Sequence, residues 1–254
     1  DRSPSRGLGD VYKRQAYDVT GDGTKDKIRI RAANQTDDEA YSSLTVSVNG
    51  KTAYRLKNTR FYNVIANIYT LKNGQPFLYL YAPAENGDGP VCALLKYTNG
   101  KFRKILDFTE IMAGYGDHRI GEVTNLNGNK IVITESIVSY SLGINAINFT
   151  YEYVNGKFVP TSRYGSYKEI YSADGSSRHF TVSSDLPAYT RPGATAVNTT
   201  LKTGSLTKII KCALINGKMY IQLECDGEIY WIKALENPPI ADNERQFMEV
   251  RYAG

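Results

Sequence analysis

The 254-residue sequence has few of the residues on which common metal-binding and redox functions depend. It has three cysteines and two histidines. The cysteines, Cys92, Cys212 and Cys225, are odd in number and have no C-x-x-C spacing, so neither a zinc site nor a disulfide framework is indicated. No apolar run approaches the length of a membrane-spanning helix, and we expect no membrane span.

Motifs of the common enzyme classes are also missing from the sequence. There is no G-x-S-x-G elbow, H-E-x-x-H helix, phosphate-binding P-loop or dinucleotide fingerprint. His118 and His179 lie in no nucleophile motif. We therefore expect a non-catalytic protein. The alternative is a carboxylate-dependent glycan hydrolase, because two carboxylates facing one cleft can cleave a glycosidic bond. The candidate carboxylates flank predicted strands and are Asp107, Glu110, Asp117, Glu122 and Glu135.

The basic excess of the chain is small, with a formal net charge of +5. It is dispersed, and no Lys/Arg run is interleaved with aromatic residues, so we expect no nucleic-acid partner. Residues 1–15 have no helical or strand periodicity and lack the apolar segment of a signal peptide. We expect this segment to be a disordered tail or a sequence-assembly artefact.

Tyrosine and glycine are abundant, with 20 tyrosines and 22 glycines. This composition favours strands and turns. Asn-Gly-Lys occurs at 49–51, 99–101 and 155–157, each time between two strand-like runs. Asn-Gly tolerates the positive φ angles of a two-residue hairpin, so three hairpins are predicted. Another strand and turn precede each hairpin. Four strands at a period near fifty residues predict units like propeller blades, and a generic meander is the alternative.

The turn ahead of the first of these hairpins is acidic. Residues 18–26 read D-x-T-G-D-G-x-x-D and lead into the strand-like run 27–31. Alternating oxygen donors on a tight turn suit calcium, which takes six or more oxygen ligands, so one Ca²⁺ is predicted here. The predicted ligands are Asp18, Thr20, Asp22, Thr24 and Asp26. The alternative is an Asx turn that binds nothing. The loop resembles the calcium loop of FG-GAP and VCBS-type propeller blades, which implies a blade-like repeat domain over residues 16–171.

A different pattern follows the polar segment 172–177, which we take as a domain boundary. Tyr189–Gly193 carries a Tyr-x-x-Pro-Gly opening, Leu201–Gly204 an L-x-x-G step, and Ile229–Ile232 a closing aromatic strand. This order resembles the bacterial Src-homology-3-like domain. The resemblance implies a small β-barrel over residues 178–236 with a C-terminal extension at 237–254.

Members of that family commonly bind cell-wall peptides or serve as attachment modules. The resemblance therefore implies a cell-wall peptide or glycan as partner, and an extracellular or wall-associated location. The implied ligand-binding residues are Tyr189, Tyr220, Tyr230 and Trp231, although Trp231 also suits a barrel core. We expect an all-β binding protein stabilised by calcium. A scaffold that docks a protein partner without a small ligand is the other alternative.

Overall fold

The computed structural model describes residues 16–36 and 38–252. Within them nineteen strands and three short 3₁₀ turns form, and no residue lies in an α-helix, which confirms the all-β prediction. No helix in this part of the chain is long and apolar enough to cross a membrane. The tail predicted for residues 1–15 lies outside the described residues.

The first twelve strands form three consecutive four-stranded antiparallel meanders. The first contains β1 (Ala16–Tyr17), β2 (Asp26–Gln35), β3 (Tyr41–Val48) and β4 (Lys51–Phe61). The second contains β5 (Ile65–Thr70), β6 (Pro76–Ala82), β7 (Val91–Thr98) and β8 (Lys101–Asp107). The third contains β9 (Gly116–Asn127), β10 (Lys130–Ser139), β11 (Gly143–Val154) and β12 (Lys157–Pro160). The predicted repeat of four strands is thus present three times.

The three Asn-Gly hairpins are confirmed in their positions and in their backbone geometry. Asn49, Asn99 and Asn155 have φ angles of 50°, 51° and 50°, and the glycine after each also has a positive φ. Two successive positive φ angles are those of a type I′ turn, which matches the right-handed twist of paired strands. The local turn chemistry therefore fixes the register of β3–β4, β7–β8 and β11–β12.

The chain divides into two compact units, and the first consists of the residues up to Asp107 together with Asn127–Asn129. Its core contains buried aliphatic and aromatic side chains of both the first and the second meander, with Leu44, Phe61, Leu80 and Leu95 fully buried. Alternation along β2 points its apolar residues into this core and its polar residues outward, as the period-two geometry of a strand requires.

The second unit joins the third meander to the C-terminal strands in one nine-stranded sheet. Its path runs β19-β18-β17-β13-β11-β10-β9, with β12 beside β11 and β14 beside β17; β15 and β16 form a separate pair. The strands are β13 (Tyr164–Ile170), β14 (His179–Thr181), β15 (Leu186–Ala188), β16 (Thr199–Leu201), β17 (Leu206–Ile215), β18 (Lys218–Cys225) and β19 (Glu228–Lys233).

The pairings within residues 178–236 do not close into the predicted barrel. β17 pairs with β13, a strand that precedes this region, so the sheet continues into the third meander. One bridge between Tyr189 and Trp231 brings the end of β15 to β19. The C-terminal strands are therefore part of a larger sheet.

Two further segments of the second unit differ from a simple linker and tail. The predicted boundary at 172–177 is a tight turn, closed by a bridge between Tyr171 and Ser177, and it lies inside the unit. In the predicted C-terminal extension, Phe247 is fully buried and its ring lies 5.6 Å from that of Phe180. The extension is thus part of the core.

Candidate functional site

The acidic loop between β1 and β2 is held by hydrogen bonds from its own backbone. The Asp18 carboxylate accepts from the N–H groups of Gly21 at 2.6 Å, Asp22 at 3.2 Å and Gly23 at 2.7 Å. Partial burial opposes ionisation, but these three donors outweigh it and lower the pKa of Asp18. Asp22 accepts from the N–H of Thr24 at 2.8 Å. These are the contacts of an Asx-type turn.

Asp26 ends the loop as a buried carboxylate with a structural role. It is 2% exposed and accepts the N–H groups of Val19 at 2.8 Å and Thr20 at 2.9 Å. Its other oxygen accepts from the Asn49 side-chain amide at 2.6 Å and the Thr20 hydroxyl at 3.3 Å. Because Asn49 begins the β3–β4 turn, Asp26 fastens the loop to the first Asn-Gly hairpin.

These contacts make the fit to a calcium ion incomplete. Asp18, Thr20 and Asp26 converge, because the Thr20 hydroxyl lies 3.4 Å from one carboxylate and 3.3 Å from the other. The Asp22 carboxylate instead binds its own turn. In residues 16–36 and 38–252 no group of three acidic, histidine or cysteine side chains is placed to hold a metal ion. Lys96 lines the cavity beside the loop, and its positive charge would repel a cation.

The predicted aromatic ligand residues divide into a buried cluster and one outlier. Tyr189, Tyr220 and Trp231 are 6%, 8% and 4% exposed and pack together around Ala213. Tyr230 precedes Trp231 on β19, so its side chain points to the opposite face of the sheet. The cluster is therefore a small core of its own, in agreement with the alternative considered for Trp231.

More exposed side chains lie beside two members of this cluster, Tyr189 and Trp231. Tyr164 on β13 is 40% exposed, and its ring centroid lies 5.9 Å from that of Trp231. The Lys211 ammonium group is 4.5 Å from the Tyr164 ring centre and 6.0 Å from that of Trp231. The Arg163 guanidinium lies 5.8 Å from the Tyr164 ring, and the Lys233 ammonium 5.3 Å from that of Tyr189. We call these six residues the aromatic–cationic patch.

The patch is assembled by strand register. Cross-strand pairing aligns Lys211 with Gln222 and Gln222 with Trp231. The next row on the same face aligns Tyr164 with Ala213, Ala213 with Tyr220, and Tyr220 with Lys233. Within these two rows the rings of Tyr164 and Trp231 lie 5.9 Å apart across the sheet.

Positive charge on the patch is not neutralised by carboxylates of the described residues. The exposed lysines Lys202 and Lys218 form ion pairs with Asp185 and Glu236. The three cations of the patch, by contrast, have aromatic rings as their contacts and no ion pair within the described part of the chain. A cation on a ring face retains most of its capacity to attract an anion, because ring attraction is modest at exposed positions.

The carboxylates considered for glycan hydrolysis have different surroundings. Asp107 is paired with Lys104 at 2.5 Å, and Asp117 accepts from the Tyr140 hydroxyl at 3.2 Å. Glu135 is fully buried on β10. Glu110 and Glu122 are exposed. A hydrolase needs one protonated and one ionised carboxyl group facing the same substrate.

Sequence reasoning found the core of the patch and missed its exposed rim. Tyr189 and Trp231 were marked by the family resemblance, whereas Arg163, Tyr164 and Lys211 belong to no motif. Tyr164 lies in the strand before the predicted boundary. The β13–β17 pairing that brings it to Lys211 spans more than forty residues, and no local pattern shows it.

Comparisons of the chain with protein-family models, with curated proteins and with solved structures found no match in any of the three.

Proposed function

We propose that the protein is a non-catalytic binding protein that holds an anionic cell-wall peptide or glycan on the aromatic–cationic patch. The observation that carries the proposal is the position of the Lys211 ammonium group beside the adjacent rings of Tyr164 and Trp231. Arg163 and Lys233 extend the positive charge to either side. Aromatic faces beside unneutralised cations bind molecules that combine an apolar surface with a carboxylate or another acidic group.

Wall peptides and acidic glycans have this combination. The Tyr164 ring is exposed enough to stack on a sugar face or an aliphatic side chain, while the neighbouring cations reach the acidic group. Trp231 next to them is already buried, so it adds little to the side-chain entropy that is lost when a ligand orders the rim. With such a ligand we propose an extracellular or wall-associated location for the protein.

The family assignments remain part of the proposal. Three four-stranded meanders joined by Asn-Gly hairpins support blade-like repeats of the FG-GAP or VCBS type. The order of strands from β14 to β19, with the Tyr189–Trp231 bridge, supports a domain similar to the bacterial Src-homology-3-like family that has merged with a larger sheet. Calcium at the acidic loop stays a prediction, since a cation would have to replace amide hydrogen bonds there.

Sedimentation with purified peptidoglycan tests the proposal. Tyr164→Ala and Lys211→Gln should each weaken binding by about fivefold or more, because each removes an anchor of the patch. Matched controls in the same unit are Tyr171→Ala, which removes another exposed tyrosine, and Lys208→Gln, which removes another exposed lysine of β17. Both controls should sediment as the wild type does.

Two results would contradict the proposal. If patch and control variants weaken binding equally, nonspecific charge attraction alone accounts for the sedimentation. A wild type that does not sediment at all, while it binds a protein from the same cells, would favour the docking scaffold. Circular dichroism of every variant must first match that of the wild type, so that lost binding is not lost folding.

A further inference from the structure

The first unit has a second charged surface, far in sequence from the aromatic–cationic patch. On β2 the outward positions are Lys27, Arg29 and Arg31, while the residues between them are buried. On β4 the outward positions include Arg55 and Lys57. We call these five residues the basic face. They all project from the outer side of one antiparallel sheet.

Strand register places the basic residues in rows with hydroxyl side chains. Arg31 pairs with Thr45, and Thr45 pairs with Arg55 on the next strand. Ser43 pairs with Lys57 in the row beside it. Facing side chains of paired strands have their β-carbons about 4.5–5.5 Å apart, so each hydroxyl lies within reach of a neighbouring cation.

A shallow cavity of about 280 Å³ lies on this face, and only polar or basic residues line it. They are Asn34, Ser42, Ser43, Thr45, Arg55, Lys57 and Asn58. Guanidinium, ammonium, hydroxyl and amide groups are all donors to an oxyanion, and the cavity contains no carboxylate among the described residues. Its lining suits an oxyanion such as a phosphate group.

We propose that the basic face binds a linear phosphodiester polymer that has no bases, with one phosphate in the cavity. Alternate residues on a strand are about 6.6 Å apart, so Lys27, Arg29 and Arg31 form a line of cations along β2. The line reaches the cavity at Arg31, which shares a row with the lining residues Thr45 and Arg55. A line of cations next to a single polar cavity suits a chain of repeated charges better than it suits one small anion, because each repeat of the chain adds a contact.

The absence of aromatic rings decides against single-stranded nucleic acid. Proteins that bind single strands stack bases on aromatic side chains. The aromatic residue of this part of β4, Tyr54, pairs with Val46 and packs against the core of the unit instead. Within the described residues, the basic face offers contacts to phosphates and no aromatic ring on which a base could stack.

Titration of the full-length protein with poly(glycerol phosphate) tests the proposal. The double variant Arg55→Gln/Lys57→Gln should bind about tenfold more weakly, and the slope of log K against log salt concentration should fall by about two. The control Lys72→Gln/Lys130→Gln removes the same charge from exposed positions elsewhere and should change affinity less than twofold. Arg29→Gln serves as a second test if the double variant does not fold.

Several results would overturn the proposal. Equal losses in the double variant and its control would show that net charge alone attracts the polymer. Tighter binding of single-stranded or duplex DNA of equal charge would make the face a nucleic-acid surface. If the wild type does not bind the polymer at low salt, the basic face is not a binding site for it. None of these variants changes a residue of the aromatic–cationic patch, so sedimentation with purified peptidoglycan should be the same in all of them. This result separates the proposal from the proposed function.

Discussion

Replacement of Asp26 by alanine should lower the free energy of unfolding of the first unit by about 1.5–3 kcal/mol. The carboxylate is 2% exposed and accepts four hydrogen bonds. Three donors, the Thr20 N–H, the Thr20 hydroxyl and the Asn49 amide, belong to exposed residues and can turn to water. The Val19 N–H loses a charged acceptor in a buried place, at about 1.5–3 kcal/mol.

Urea unfolding followed by circular dichroism measures this change. Trp231 is the single tryptophan and lies in the second unit, so its fluorescence reports on that unit separately. Asp22→Ala is the matched control, since Asp22 is exposed and accepts one local bond from Thr24; it should cost less than about 1 kcal/mol. A cost below about 1 kcal/mol for Asp26→Ala would refute the structural role of this carboxylate.

The same pair of variants separates the turn from the calcium site. If Asp26 has only a structural role, Asp26→Ala destabilises the protein equally in the presence of calcium and in the presence of a chelator. If the loss appears only in the presence of calcium, Asp26 acts as a metal ligand and the hydrogen-bonded turn is the wrong description.

Three further predictions concern the core, the tyrosines and the loop. Phe247→Ala should cost about 3–5 kcal/mol in urea unfolding, because its fully buried ring packs on Phe180; a loss under 1 kcal/mol would show that the C-terminal segment does not stabilise the unit. Burial raises the pKa of Tyr81 and Tyr151 from 10.0 to about 12. The contribution of these two neutral side chains to the free energy of unfolding should therefore be complete below pH 10 and lost as the pH rises towards 12. Phenolate absorbance and circular dichroism can follow ionisation and unfolding together. Ionisation of all tyrosines near pH 10 without unfolding would contradict this prediction. Calorimetry with Ca²⁺ checks the predicted loop site: binding by the wild type that Asp22→Ala abolishes, with about 2.7 kcal/mol of added stability at ~100 times the dissociation constant, would establish it, and no heat would leave the turn alone.

Local chemistry explains why much of the strand pattern could be predicted. Asn-Gly is one of few dipeptides that adopts two successive positive φ angles without strain, and each Asn-Gly of the repeat indeed lies between two paired strands. The period near fifty residues then follows from four strands per meander. The turn at Asn216–Gly217, between β17 and β18, obeys the same rule.

Long-range pairing explains what the sequence did not show. β13 offers β17 only a short stretch, Tyr164–Ser166 against Lys211–Ala213, and nothing in either strand specifies the other. That pairing replaces barrel closure and creates the exposed rim of the patch. The burial of Trp231 and Tyr189 has a similar origin, since it depends on the segment after β15 covering the sheet. A tyrosine or tryptophan has the same sequence signature in a core and in a binding surface.

The single tryptophan gives the most direct test of the proposed function. Trp231 lies 5.9 Å from the Tyr164 ring and 6.0 Å from the Lys211 ammonium group. Titration with soluble peptidoglycan fragments should therefore change its fluorescence in a saturable way. We expect the same change in Lys208→Gln and an affinity at least about fivefold weaker in Lys211→Gln. Binding that leaves the emission of Trp231 unchanged, or an affinity that Lys211→Gln does not alter, would contradict the assignment of the aromatic–cationic patch as the binding site.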